Sequence, residues 1–175
     1  ETVDYLGHVI RPGHLSVAEK NTAALKVAKH PTTQTELRSF LGLCNVYRRF
    51  VKGFSKIAAP LNLLLRKGET PQLGPLSSEQ VSAFETLRDA LLNPPILALP
   101  RLEGTFTLDT DASDHQLGCC LLQTQPDGSQ RPIGYWSRAL TNAEKNYSTT
   151  EKECLAVVWA ILHLRPYLEQ QKFII

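Results

Sequence analysis

Five carboxylates fall in two short stretches: Asp109, Asp111 and Asp114 in one, Glu151 and Glu153 in the other. Carboxylates that converge from separate elements suit Mg²⁺, a hard cation that takes oxygen ligands and keeps some of its waters. A pair of such ions about 4 Å apart can activate water and stabilise the leaving oxygen of a phosphodiester. Asp111 ends a stretch in which Phe106, Leu108 and Thr110 alternate with Thr107, Asp109 and Asp111, the pattern of a strand. A regular strand turns Asp109 to the same face, and Asp114 falls in the following turn. Glu153 shares a helical face with Ala156, Val157 and Ala160, opposite Leu155, Val158, Trp159 and Leu162. The small alanines let that helix lie close to a sheet, within reach of the strand end. Glu151 is the alternative ligand, although the helix dipole favours a carboxylate in the first turn in any case.

The chain has 175 residues, 42% hydrophobic and 21% charged, enough to build a core and to exclude a wholly disordered chain. The length suits one large domain or two small ones. No apolar run approaches the roughly 18 residues of a membrane span. Cys44, Cys119, Cys120 and Cys154 lack zinc-ligand spacing, which points to a reduced, intracellular protein. Residues 1–100 carry twelve Lys/Arg and eight Asp/Glu; residues 101–175 carry seven and nine. A basic half followed by an acidic half suits phosphate contact in the first and metal in the second. The chain opens inside an expected strand and closes inside another, as expected of a fragment of a longer polypeptide.

The local pattern predicts one strand over 3–10, a turn at Arg11-Pro12-Gly13, and a helix capped by Ser16-Val17-Ala18-Glu19 that stops at His30-Pro31. Thr33-Gln34-Thr35-Glu36 is a second capping box. It opens a helix whose apolar stripe is Leu37, Phe40, Leu41, Cys44, Tyr47 and Val51, with Arg38, Gly42, Asn45 and Arg49 on another face. Further helices are expected over 55–66, stopped by Gly68, and from Ser77-Ser78-Glu79-Gln80 to Pro94-Pro95, carrying Val81, Phe84, Leu87 and Leu91. The texture then changes to strands at 105–111, 118–125 and 132–138, an antiparallel meander. A long helix over 149–168 and a strand from Lys172 follow. Cys119 and Cys120 should point to opposite faces, and Trp136, Tyr147 and Trp159 should join the core.

Several of these segments resemble the pol polyprotein of gypsy-type LTR retrotransposons, in order and spacing. They are Tyr5-Leu6-Gly7-His8-Val9-Ile10, Leu37 through Phe50, Phe54-Ser55 and Ala59-Pro60-Leu61. Then come Thr110-Asp111-Ala112-Ser113, Pro132 through Arg138, and Asn146 through Glu153. The resemblance implies an α/β chain. Residues 1–98 would be the end of the reverse-transcriptase palm and the helical thumb, and 99–175 a ribonuclease-H-like domain truncated at its C-terminus. The parent would be an RNA-directed DNA polymerase that also cleaves the RNA strand of the hybrid, with Mg²⁺ as cofactor.

By position, the resemblance makes Asp111 and Glu153 catalytic and metal-binding. It makes the hairpin at Leu6 and Gly7 a grip on the primer strand, and the helix from Thr33 a tracker of the duplex minor groove. Arg38, Gly42, Arg48 and Arg49 are then candidate nucleic-acid contacts. Helix packing is the alternative for Gly42, and a solvated face for the arginines. His8 and His115 are weaker candidates. The family's next catalytic aspartate is expected beyond Ile175, so two carboxylates should bind Mg²⁺ weakly and the fragment should not cleave RNA by itself. Partners implied are an RNA–DNA hybrid or template–primer and the rest of the polyprotein: palm, remaining ribonuclease H and integrase. The expected location is the cytoplasm or virus-like particles, with no membrane. The rival reading is a connection-type or domesticated scaffold that only binds nucleic acid or protein.

Overall fold

A computed structural model describes residues 2–66 and 71–175. Among them, eight strands form two four-stranded sheets, with six α-helices. The first sheet is antiparallel throughout, in the order β1 (Val3–Tyr5), β2 (His8–Arg11), β3 (His14–Val17), β4 (Leu97–Ala98). The single strand expected over 3–10 is a hairpin. Leu6 and Gly7 sit at φ 46° and 82°, which makes the two-residue turn that a right-twisted hairpin requires. Strand-forming residues stand on both sides of the turn and only Gly7 interrupts them, so the run reads as one strand. Ser16 is not a helix cap. It pairs with Val9 in β3, and α1 (Glu19–Lys26) starts after Ala18 with no side-chain cap. Cross-strand pairing and burial of Val17 outweigh the local capping pattern.

The next helix, α2 (Gln34–Val46), is capped by Thr33, which accepts from the Glu36 N–H. The Glu36 carboxylate reaches one residue further back than a capping box does, to the N–H and hydroxyl of Thr32. All six residues of the expected apolar stripe are buried. The helix ends earlier than the stripe, and a 3₁₀ turn at Arg48–Phe50 carries it on to Val51. There follow α3 (Phe54–Leu63) and α4 (Ser78–Leu92), the latter with both halves of the Ser77/Gln80 capping box formed. Gly68, expected to stop the third helix, lies outside the described residues. Leu37, Phe40, Leu61, Phe84, Leu87 and Leu97 belong to one core, in which the Phe40 and Phe84 rings lie 4.3 Å apart.

The second sheet has the order β7 (Gln130–Ala139), β6 (Gln116–Thr124), β5 (Phe106–Ala112), β8 (Phe173–Ile174). The first three strands form the expected meander, and β8 joins β5 in parallel. Between them run α5 (Thr149–His163) and the single turn α6 (Arg165–Leu168). The one helix expected over 149–168 breaks at Leu164, because Pro166 lacks an N–H and cannot continue the ladder. Phe106, Leu108, Cys119, Leu121, Ile133 and Ala160 form the second core, so the two cores divide between Leu97 and Ala98. Burial pushes the thiols of Cys119 and Cys120 up to about 12 and about 11. Trp136 and Trp159 pack half-buried against this core. Tyr147, expected there too, is exposed, because it lies on the surface connection ahead of α5.

Candidate active site at the end of the second sheet

Asp111 and Asp109 are both exposed, one residue apart on the same face of β5. The buried residues of β5, Phe106 and Leu108, face the other way, toward Ala160 of α5. Nearer the strand end, Ala156 of α5 packs with Leu117 and Ala112. The helix thus covers one side of the strand, and the aspartates leave from the other. What joins them at the strand end is an ion pair. The Lys152 Nζ lies 2.8 Å from Oδ1 of Asp114. Lys152 precedes Glu153, and Asp114 lies three residues past Asp111, so this bond fastens the segments that carry the two candidate ligands. The Lys152 ammonium also holds the Asp114 carboxyl below its ordinary range, by hydrogen bond and charge.

The helix stripe against the sheet is Lys152, Ala156 and Ala160, spaced by four. Glu153, three residues before Ala156 and seven before Ala160, lies on the same side of the helix and is exposed. Lys152 is a residue that sequence reasoning missed, although its spacing from Ala156 and Ala160 carries the signal. Glu151 is otherwise engaged. Its Oε2 accepts from the N–H and the hydroxyl of Ser148, both at 2.8 Å, completing a capping box. Those bonds lower its pKa. The sequence Ser148-Thr149-Thr150-Glu151 carries that signal too. Among the described residues, no group of three or more His, Cys, Asp or Glu side chains could hold a metal ion. Asp111 and Glu153 supply hard oxygen donors of the kind Mg²⁺ accepts, but only two of them.

The remaining candidates are distributed over the helical half. Leu6 stands exposed at the hairpin tip. The Gly7 carbonyl beside it accepts from the Ala18 N–H at 3.0 Å, the Tyr47 hydroxyl at 3.1 Å and the Asn21 amide at 3.3 Å. A side chain at Gly7 would run into Asn21 and Tyr47. Gly42 is exposed, and no atom lies within 4 Å of where its Cβ would be, so it does not serve helix packing. Arg38 is exposed and donates to Gln34 at 2.7 Å. Among the histidines, His8 stacks on Phe50, and His115 is exposed in the β5–β6 turn.

Arg48 and Arg49 are placed differently. Their guanidinium groups donate to the carbonyls of Ser137 at 2.6 Å and Ile133 at 2.9 Å, both on β7. Arg48 also lies over Phe54, and Arg49 over Trp136. Beside them, Ser137 Oγ accepts from the Ser55 N–H at 3.0 Å, and Gln116 Oε1 from the Lys56 N–H at 2.9 Å. Helix α3 begins at Gly53 with no side-chain cap of its own. The second sheet thus gives the Ser55 N–H its partner and the Lys56 N–H a second one besides the Gly53 carbonyl at 3.0 Å. No sequence signal marks Ser137 or Gln116 for this role.

Between β7 and α5 the chain is pinned by Glu144, which takes both nitrogens of Arg138 at 2.7 and 2.9 Å and the Thr141 N–H at 2.8 Å. These bonds, the Arg138 hydrogen bond first, hold the Glu144 carboxyl down at about 2 against an ordinary 4.5. The folded pKa is the lower one, so this contribution to stability is complete above about pH 4.5 and lost as pH falls toward 2. Glu144→Gln should therefore flatten the fall of melting temperature between pH 4.5 and 2. Equal slopes for the two proteins would show that the pair contributes nothing.

Residues 76–175 match the model of a family described as the RNase H-like domain found in reverse transcriptase. The chain belongs to this RNase H-like family. It is 37% identical over 172 residues to the retrovirus-related Pol polyprotein from transposon 297 of Drosophila melanogaster, covering 98% of this chain and 16% of that protein. Over 174 residues it is 35% identical to the corresponding polyprotein from transposon opus, from the same organism, covering 95% of this chain and 17% of that one. The chain thus spans about a sixth of the length of these relatives. The structure of the foamy viral protease-reverse transcriptase in complex with RNA/DNA hybrid superposes with a TM-score of 0.83 at 26% identity, over 98% of this chain and 23% of that one. The α/β architecture of this RNase H-like chain is accordingly that of a reverse transcriptase. Among its described residues, no helix is long and apolar enough to cross a membrane.

Proposed function

We propose that this chain is a segment of a retrotransposon Pol polyprotein that holds an RNA–DNA hybrid and contributes to hydrolysis of its RNA strand. Residues 1–98 act as the end of the palm and the thumb, and 99–175 as the ribonuclease-H-like domain. Asp111 and Glu153 hold Mg²⁺, which when bound supplies an activated water and neutralises charge on the phosphate. The observation that carries this reading is the Lys152–Asp114 ion pair, which fastens the helix of Glu153 to the turn after Asp111. Leu6, Gly7, Arg38 and Gly42 contact the duplex. Gly42 lets a backbone approach the helix closely, and phosphate contacts carry no base code, as an enzyme acting on any sequence requires. Arg48 and Arg49 act as positioning residues that join the two halves, in place of direct phosphate contact. The parent polyprotein copies RNA into DNA, in the cytoplasm or in virus-like particles, with the remaining pol domains as partners.

Two carboxylates bind Mg²⁺ weakly, and this chain by itself does not cleave RNA. A second reading, a connection-type scaffold that binds without catalysis, is favoured by the lack of a three-ligand cluster among the described residues. A Mg²⁺ titration followed by NMR separates the two. Shifts centred on Asp111 and Glu153 at millimolar Mg²⁺ are expected. No response there would leave the scaffold. Robust Mg²⁺-dependent cleavage of a hybrid by this chain alone would contradict the proposed incomplete site.

A further inference from the structure

The turn at Leu6-Gly7 is fastened by residues from two other elements. β1 stands at the edge of the first sheet, and all three of its residues are exposed. A hairpin that short is marginal by itself. Leu6 is nonetheless held at φ 46°, a backbone region that leucine rarely adopts, with its side chain exposed. Tyr47, buried at the end of α2, donates its hydroxyl to the Gly7 carbonyl at 3.1 Å. Asn21 of α1 donates Nδ2 to that hydroxyl at 2.7 Å and to the same carbonyl at 3.3 Å. The His8 ring, on the other side of the turn, lies 5.3 Å from the Tyr47 ring and 5.8 Å from that of Phe50. Tyr47 itself stands on a fixed base, because the next two residues, Arg48 and Arg49, donate to carbonyls of β7.

We infer that Tyr47 and Asn21 are positioning residues for this hairpin: they lock the Leu6-Gly7 tip to the end of α2, so that the tip and the Arg38–Gly42 face of that helix meet one duplex at a fixed spacing. The inference rests on the reading above that Leu6, Gly7, Arg38 and Gly42 contact a hybrid. Tyr47 and Asn21 themselves touch no nucleic acid in it. Three features set them apart from ordinary core packing. The Tyr47 hydroxyl donates once, to Gly7, and accepts once, from Asn21, so its polar bonds are spent wholly on the tip. The carbonyl they hold belongs to the turn, where an unfavourable backbone persists only if its surroundings fix it. Position 7 also has no room for a side chain, because a Cβ there would run into both Asn21 and Tyr47. The tip is therefore ordered before a duplex arrives, and binding does not have to pay for ordering it.

The test uses the full chain and a fluorescent RNA–DNA hybrid, with binding measured by anisotropy across a salt series. Tyr47→Phe keeps the ring and removes only the hydroxyl. Asn21→Ala removes the bridging amide and puts a stronger helix former into α1. Circular dichroism should show both variants folded. Each should weaken binding about three- to tenfold, the range of one hydrogen bond. The slope of log K against log salt should not change, because no cation is removed. Added to Leu6→Ala, either substitution should cost less than about twofold, because a displaced tip matters only through the contact its side chain makes. An equal cost with and without Leu6 would show core support alone and overturn the positioning role. Wild-type affinity in both variants, with Leu6→Ala weakened, would overturn it too and leave the hairpin contact standing. Leu6→Ala without effect would remove the tip from the interface, and the positioning role with it. Failure of the wild type to bind any hybrid would overturn the underlying reading itself.

Discussion

In a Pol polyprotein that contains this segment, Asp111→Asn should lower hydrolysis of the RNA strand by about a thousandfold, while hybrid affinity changes by less than about threefold. A metal ligand contributes several kcal/mol of charge stabilisation in the transition state, and each 1.36 kcal/mol is a factor of ten in rate. Asparagine keeps the shape of the side chain and removes the charge that a hard cation requires. Glu153→Gln should behave in the same way. Glu151→Gln should not, because the Glu151 carboxylate is bonded to Ser148 at the helix start and a glutamine oxygen can still accept there. Cleavage of a labelled hybrid in Mg²⁺ measures all three. Asp111→Asn retaining more than about a tenth of the wild-type rate would remove Asp111 from the site. Glu151→Gln falling as far as Glu153→Gln would reverse the choice between the two glutamates.

That choice shows how the sequence and the structure divide the work. The strand that carries Asp111 was legible because residues 106–111 alternate, and α4 because its capping box, apolar stripe and Pro94-Pro95 stop all agree. Local signals failed where tertiary pairing competes with them. Ser16 has the spacing of a cap, yet pairing with Val9 draws it into β3. Leu6-Gly7 lies inside a run of strand formers that reads locally as one strand, yet both residues turn the chain at positive φ, as the hairpin implied by the resemblance requires. At the site, the alanine face was read as the face toward the sheet, and Ala156 and Ala160 are buried there, but Lys152, buried beside them, was not read at all. The arginines of the turn after α2 were read as a duplex surface because one chain segment does not reveal which carbonyls another strand will present. Arg48 and Arg49 find β7 about 85 residues later in the sequence.

The double variant Gln116→Leu, Ser137→Ala should destabilise the chain by about 1–3 kcal/mol and separate the unfolding of its two halves. Helix α3 has no side-chain cap of its own: its Ser55 N–H depends on Ser137, and its Lys56 N–H is shared between Gln116 and the Gly53 carbonyl. Leaving a buried donor unpaired costs about 1–3 kcal/mol per group. The loss falls on the seam between the cores rather than within either core, because the cores themselves divide between Leu97 and Ala98. Each half therefore keeps its packing while the coupling between them weakens. Calorimetry should show one transition in the wild type and two, or one broadened, in the variant. A single sharp transition at the wild-type temperature would mean that water caps α3 equally well and that the arginine contacts alone join the halves. The functional consequence follows from the same geometry. Residues of α2 and the strand end that carries Asp111 belong to different halves, so a seam that opens also changes the spacing between them. Such a variant should lose hybrid affinity although no residue proposed to touch the nucleic acid has been changed.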